Sequence, residues 1–462
     1  MAPKFAIQLL RGQNDRNAFP IIDEEDFEEE PVFTRNTFLG TTNDIKVQYV
    51  KRLVEAFETI EIELYYWWQQ SLDIGDDGNI YVSGSNFEYQ QVGAFKHSGT
   101  SNLVILASDY IEDTEDLGYF DYVGLIDGVY FESVSMLPSS IVRCFDFTVV
   151  VDEVWGIDDP VNYPEWRYTN YLIVGVKRDD GNQYWTVAVN KIDDCEAGLC
   201  GDLTYDSPYA VEAYDNGTII LNYDYYDYVA DQRKIVVIRS TDYGVTWGEE
   251  IVIVTGRGTS YIKKGDDGYL YISSYQSQTA KIFKSEDLGL TWSEINLPNL
   301  LAAPTENAWG YMDFSVDANG KIYAVIPRWT FFSLYTSSDG GSNWNRYDHN
   351  AITRPLFITA NTTAIVVHGG DSLGGSPYHY LLLRSTDGGV NFTEVFDLYD
   401  NYGSSIAYQT LKHNGTTFAF TECAMTHVPH DENGWLAWLV SYDNGLTWTE
   451  EYAENVMSVM SG

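Results

Sequence analysis

Through most of the chain, apolar residues come in short runs punctuated by Asp-Gly and Asn-Gly pairs. Runs such as Ile235-Val-Val-Ile238 and Leu381-Leu-Leu383 are of strand length and rich in aliphatic residues. Turn dipeptides followed at once by a strand-like stretch occur at Gly78, Gly128, Gly217, Gly268, Gly320 and Gly415. Asn361-Thr-Thr-Ala-Ile-Val-Val fills the one gap in the later series. Such pairs are the strongest short-range signal for a hairpin, because they adopt positive φ cheaply. Helical spacing shows once, where Ile45, Tyr49, Leu53, Val54 and Phe57 fall three and four apart. The pattern predicts an all-β chain with one short amphipathic helix ahead of it.

A second signal repeats in register with the first. Five segments read Ser240-Thr-Asp242-Tyr-Gly244-Val-Thr246-Trp247, Ser285-Glu-Asp287-Leu-Gly289-Leu-Thr291-Trp292, Ser337-Ser-Asp339-Gly-Gly341-Ser-Asn343-Trp344, Ser385-Thr-Asp387-Gly-Gly389-Val-Asn391-Phe392 and Ser441-Tyr-Asp443-Asn-Gly445-Leu-Thr447-Trp448. From glycine to glycine the spacings are 45, 52, 48 and 56 residues, the length of a four-stranded propeller blade. In each, the Asp can accept backbone N–H groups ahead of it and close a turn, the Gly can take positive φ, and the aromatic opens the next strand with a large apolar face. Each unit therefore holds an Asp-Gly hairpin and then a Ser-x-Asp-x-Gly hairpin.

Extending the unit backwards, Gly78 is followed by Phe95-Lys-His-Ser98-Gly99, a turn lacking its Asp. Gly128 is followed, after a longer interval, by Asp179-Asp-Gly181-Asn-Gln-Tyr184-Trp185, with residues 143–166 read as an insertion. The count is seven blades, or eight if that insertion forms a blade of its own. The division is residues 1–66 as an N-terminal segment and 67–462 as the propeller.

The formal net charge of −41 excludes phosphate backbones and anionic lipid surfaces as partners, so neither nucleic acid binding nor membrane insertion is expected. The first residues, Met1-Ala2-Pro3-Lys4-Phe5, lead to Arg11 without the apolar core of a secretory signal, so synthesis in a cytoplasm is the expectation. Cys195 and Cys200 are near enough in sequence to bridge, but reduced loop thiols fit a cytoplasmic origin better. Asp-rich stretches leave calcium as the one cofactor to consider. His427-Val-Pro-His430 beside Asp431 and Glu432 reads as an ordinary loop rather than a metal site, because of the intervening proline.

The five Ser-x-Asp-x-Gly-x-[Thr/Asn]-[Trp/Phe] segments resemble the Asp-box, or BNR, repeat of sialidases and related propellers. That resemblance covers residues 70–452 and implies that Asp242, Asp287, Asp339, Asp387 and Asp443, with their glycines and aromatics, build the fold at the blade periphery. Sialidase chemistry in that family also uses three arginines, a Tyr–Glu nucleophile pair and an Asp acid. The family's Arg-Ile-Pro motif ahead of the first box is missing. Ile141-Val-Arg143-Cys-Phe and Ile326-Pro-Arg328-Trp match neither its order nor its position, though Arg143, Arg233, Arg257 and Arg328 remain candidates to converge on a channel.

Residues 1–40 resemble the N-terminal module of bacteriophage tail fibre and minor tail proteins. The resemblance rests on Ile7-Gln8-Leu9-Leu10-Arg11-Gly12 and on Pro31-Val-Phe-Thr-Arg35-Asn-Thr-Phe38-Leu39-Gly40. The acidic run Asp23-Glu-Glu-Asp-Phe-Glu-Glu-Glu30 between them is longer than usual for that module. The implied role is attachment to other virion or tail subunits. The helix at 45–57 would then be either a trimerising stalk, making a homotrimer, or an element packed on the propeller. The propeller would face a host glycan or protein. The aromatic and acidic stretches Tyr223-Asp-Tyr225-Tyr226-Asp-Tyr228 and Tyr119-Phe-Asp-Tyr122 suit sugar stacking and hydroxyl binding. The expectation is a non-catalytic receptor-binding virion protein; the alternatives are a sialidase-like glycoside hydrolase and a purely structural tail component.

Overall fold

The computed structural model describes residues 67–86, 91–97, 103–108, 124–126, 129–134, 140–157, 169–180, 182–192, 201–203, 210–227, 230–256, 259–276, 279–297, 312–328, 330–350, 352, 354–371, 379–398, 409–422 and 436–453. The N-terminal segment 1–66, Tyr119, Tyr122, Tyr228, Arg257, Cys195, Cys200 and residues 427–432 lie outside the described residues, and so do the expectations made for them.

Two kinds of turn organise the strands. In the first, Asp77 accepts the Asn79 N–H at 3.0 Å and the Tyr81 hydroxyl at 2.7 Å. The arrangement recurs at Asp267, which takes Tyr269 N–H (3.2 Å) and the Tyr271 hydroxyl (2.7 Å), and at Asp317, which takes Asn319 N–H (2.9 Å) and the Tyr323 hydroxyl (3.1 Å). A carboxylate thus closes the hairpin on one side and caps a tyrosine of the outgoing strand on the other.

The Ser-x-Asp-x-Gly turns are as uniform. The serine hydroxyl donates to Asp Oδ1 at 2.7–2.9 Å and accepts the glycine N–H at 2.7–3.0 Å. The same Asp takes the backbone N–H and the side chain of Thr246, Thr291, Asn343, Asn391 or Thr447 at 2.6–3.0 Å. These donors, outweighing what little burial there is, hold Asp387 and Asp443 down to about 2. Two successive residues in each turn are left-handed: Gly244, Gly289, Gly341, Gly389 and Gly445 are each preceded by Tyr243, Leu288, Gly340, Gly388 or Asn444, all at positive φ. Trp292, Trp344 and Trp448 donate their indole N–H back to the turn glycine carbonyl at 3.0–3.1 Å, while Trp247 donates instead to Thr186 at 3.3 Å.

With hairpins made this way the described residues form seven antiparallel sheets in sequence order. The first holds Trp67–Ile74, Ile80–Asn86, Gln91–His97 and Leu103–Ser108. The inner strands of the others are Ser140–Cys144, Ala210–Tyr214, Thr259–Lys264, Asp313–Val316, Arg354–Ala360 and Gln409–Asn414. The architecture is a β-propeller. Apolar cores lie between successive sheets from the second to the seventh. Val149, Val174, Val211 and Leu221 pack across the first of these junctions, and Val366, Leu382, Leu411 and Phe420 across the last. The first sheet adjoins the second and the seventh. Arg143 of the second donates its backbone N–H to Asp73 at 2.8 Å, and Asn414 of the seventh donates to the Gly75 carbonyl at 3.0 Å.

One part of the sequence reading is corrected. The described part of 143–166, residues 143–157, is neither an insertion nor an eighth blade, because Ser140–Cys144 and Phe147–Ile157 are the two innermost strands of the second sheet. Their turn is Phe145-Asp146, which carries no glycine and therefore escaped a search for Asp-Gly. The strands flanking Gly128, Gly124–Ile126 and Val129–Val134, are added to the edge of that sheet by pairing with the far half of Phe147–Ile157.

Candidate functional site

Both kinds of described turn lie at one end of the ring, here the turn end; the strand ends where the chain enters and leaves each sheet lie at the other, the loop end. Strand alternation turns Val211 and Ala213 into the core between the second and third sheets, and the intervening Glu212 towards the axis. Asp73, Lys263 and Lys412 reach the axis from the first, fourth and seventh sheets. At the turn end these residues help enclose a cavity of about 260 Å³, with Asp266 and His413 also in its wall.

The charges there fall into two groups. Lys263 is engaged: its ammonium donates to Asp313 at 2.5 Å and to the Phe314 carbonyl at 3.0 Å. Asp313 in turn accepts the Ile358 N–H at 2.8 Å, so one ion pair ties the fourth, fifth and sixth sheets. Burial lowers the Lys263 pKa, with Asp313 opposing. The second group is looser. The Lys412 ammonium stands 3.9 Å from Glu212 Oε1, too far for a hydrogen bond. Neither side chain makes a hydrogen bond to another described residue. Burial works against the charge of Lys412, yet Glu212, Asp73 and Asp313 outweigh it and raise its pKa. Burial pushes the Asp73 carboxyl up to about 6, against the pull of Lys412. The rim is crossed by His413, whose Nε2 meets Asp266 at 2.9 Å and whose Nδ1 meets the Thr359 hydroxyl at 2.6 Å.

No family model matches the sequence, and no curated protein does. Among solved structures the chain is similar to the polysaccharide lyase Uly1, at 11% identity and a TM-score of 0.47, over 84% of this chain and 90% of that one. It is similar to the GH74 xyloglucanase from Xanthomonas campestris at 13% identity and a TM-score of 0.46, over 86% and 55%. The K499G mutant of NanB sialidase from Streptococcus pneumoniae gives 13% and 0.39, over 86% and 69%.

The residues singled out from the sequence are scattered. Tyr223 and Tyr225 are buried in the second-to-third sheet core, and both hydroxyls donate to Glu250, at 2.7 and 3.1 Å. This corrects their reading as ligand-stacking tyrosines, since successive same-face positions on a strand share whatever that face packs against. Burial and the Glu250 carboxylate raise both phenol pKa values, so this Tyr–Glu pair is a structural contact away from the axis. Tyr226, on the opposite face, is half-buried at the loop end and donates to Asp231. The described candidate arginines, Arg143, Arg233 and Arg328, do not converge. Arg143 sits at the turn end in a two-pronged pair with Asp179 (2.7 and 2.9 Å). Arg233 lies 3.6 Å from Asp224 in the third sheet, and Arg328 is buried beside the Tyr335 hydroxyl in the fifth. Among the described residues no three His, Cys, Asp or Glu side chains are placed to hold a metal ion. The axial residues Asp73, Glu212 and Lys412 went unnoticed in the sequence. Their signal is weak but present: a charged residue inside a short apolar strand just ahead of an Asp-Gly or Asn-Gly turn.

Proposed function

We propose that this chain is a glycan-binding propeller without catalytic turnover, carried on a phage particle by residues 1–66 and directed at a host surface receptor. The supporting observation is the axial one. The ring encloses a cavity lined with carboxylates and several cationic side chains, Lys263, Lys264, Lys412 and Arg143, while the described Tyr–Glu pair lies between sheets, where a phenolate is disfavoured. Tyr226, with Tyr228, Tyr119 and Tyr122, supplies the aromatic part of the reading, and the segment 7–40 supplies the virion part. A glycan array combined with a glycoside-release screen on the full-length chain, with and without EDTA, tests it. Binding without release is expected; released sugar would overturn the non-catalytic reading, and loss of binding in EDTA would assign a metal to the Asp-rich loops. Antibody labelling of purified particles tests the attachment.

A second reading has one observation in its favour. Asp73 titrates near neutrality beside a second axial carboxylate, Glu212, and glycoside hydrolysis requires an acid and a carboxylate of that kind. The same screen separates the two, because hydrolysis would be abolished by Asp73→Asn.

A further inference from the structure

We infer that the cavity at the turn end of the axis is itself a ligand site, and that its ligand is a small polyhydroxylated group such as one sugar unit. Glu212 is only 6% exposed, faces the cavity and has no hydrogen-bond partner among the described residues, its nearest cation being Lys412 at 3.9 Å. A carboxylate so buried costs free energy unless something donates to it. Lys412 offers the complementary need, an ammonium without an acceptor. Asp73 adds a carboxyl that takes the Arg143 N–H on Oδ2 and is also bonded by the Ile74 N–H, with acceptor capacity left towards the cavity. A group that fits between them must accept from Lys412 and donate to Glu212 and Asp73 at once. Adjacent hydroxyls do both; a simple anion would meet two carboxylates, and a simple cation would meet the ammonium.

The direction of the chain agrees. Trp67 pairs with Asn86 and Leu436 with Ala453, so the chain enters the first sheet and leaves the last at the loop end. If residues 1–66 are the anchor, the chain passes from it into the propeller at Trp67, the end of the ring opposite the cavity. The inference takes its ligand class from the glycan reading above but places the contact at the opposite end of the ring from Tyr226.

The test uses the full-length chain and saturation-transfer NMR with methyl glycosides of glucose, galactose, mannose and N-acetylglucosamine, comparing wild type with Glu212→Gln, Lys412→Met and, as a control at an exposed peripheral turn, Leu290→Ala. The first two variants keep side-chain volume, and thermal melts verify that each is folded. Saturation transfer to at least one glycoside is expected in wild type and Leu290→Ala, with affinity at least tenfold weaker in Glu212→Gln and Lys412→Met. Equal binding in all four proteins would overturn the site and leave the glycan reading standing. Absence of transfer alongside a positive glycan array would overturn the site alone. Absence on both would remove the site and the reading together.

Discussion

The turn at Gly340-Gly341 lets backbone strain and steric overlap be measured separately in adjacent residues. Both glycines are left-handed, at φ +68° and +90°. A Cβ at Gly340 would meet nothing within 4 Å, whereas one at Gly341 would come within 2.2 Å of Ile295 Cγ2. Ile295 is buried in the core between the fourth and fifth sheets, and its β-branch leaves χ1 little freedom to retreat. Gly340→Ala should therefore cost only the left-handed penalty, about 1 kcal/mol; Tyr243, Leu288 and Asn444 already bear it at the equivalent place in three other turns. Gly341→Ala should cost that penalty plus overpacking of about 1–3 kcal/mol, or roughly 2–4 kcal/mol in total. Urea unfolding followed by tryptophan fluorescence would show a small midpoint shift for the first variant and a large one for the second. Combining Gly341→Ala with Ile295→Ala should cost less than the sum of the separate losses, because the truncation removes the overlapping methyl. Equal shifts at the two glycines, or strict additivity with Ile295→Ala, would refute the account.

Three further outcomes follow from the charges. Asp387 and Asp443 are held at about 2, below the unfolded carboxylate value near 4, so their contribution is present above about pH 4 and lost as pH falls through 2; Asp443→Asn should flatten the acid limb of a pH–melting curve between those values, and an unchanged limb would count against the turn hydrogen bonds as its source. Asp73 has the opposite sign: its folded value of about 6 lies above the unfolded one, so it favours the folded state most below pH 4 and that advantage is lost as pH rises to 6. Asp73→Asn should remove a decline on the order of 2 kcal/mol over that interval, read from urea midpoints at pH 4 and pH 7. Arg143 stacks over Tyr81 of the first sheet at 5.2 Å while paired with the exposed Asp179, so Arg143→Met should destabilise by about 1–3 kcal/mol, and Arg143→Lys should recover only part of that because an ammonium cannot make both prongs.

What was legible in the sequence was whatever repeats. Asp242, Asp287, Asp339, Asp387 and Asp443 each close the same turn with the same partners, so chain positions far apart report one local geometry, and the propeller could be deduced from them. The second sheet defeated the reading because its inner hairpin turns at Phe145-Asp146 with no glycine, while the Gly128 hairpin, which carries the expected signal, serves as an edge addition. Tyr223 and Tyr225 misled for a related reason. Alternation along Thr218–Asp227 places both on the face covered by the second sheet, and composition alone does not say which face of a central strand is covered.

The axial site is illegible for a deeper reason, which lies in the ring geometry. Each inner strand brings only a few residues to the axial cavity, so a functional surface there is assembled from short stretches hundreds of residues apart, those of Asp73 and Lys412 among them. A turn must satisfy its own backbone and so writes several residues into one short segment. An axial position has no such local obligation: Glu212, Lys263 and Lys412 occupy comparable places on three strands with opposite charges, and each strand would pair equally well with either. Selection on the fold therefore leaves a periodic record, whereas selection on the axis leaves isolated charged residues. In Val211-Glu212-Ala213 and Leu411-Lys412 such a residue interrupts an apolar strand, where burying it without a partner would be costly. That cost is what separates Glu212 from the many acidic residues of a chain with net charge −41, and it makes the binding comparison of wild type with Glu212→Gln the most direct test of what the propeller is for.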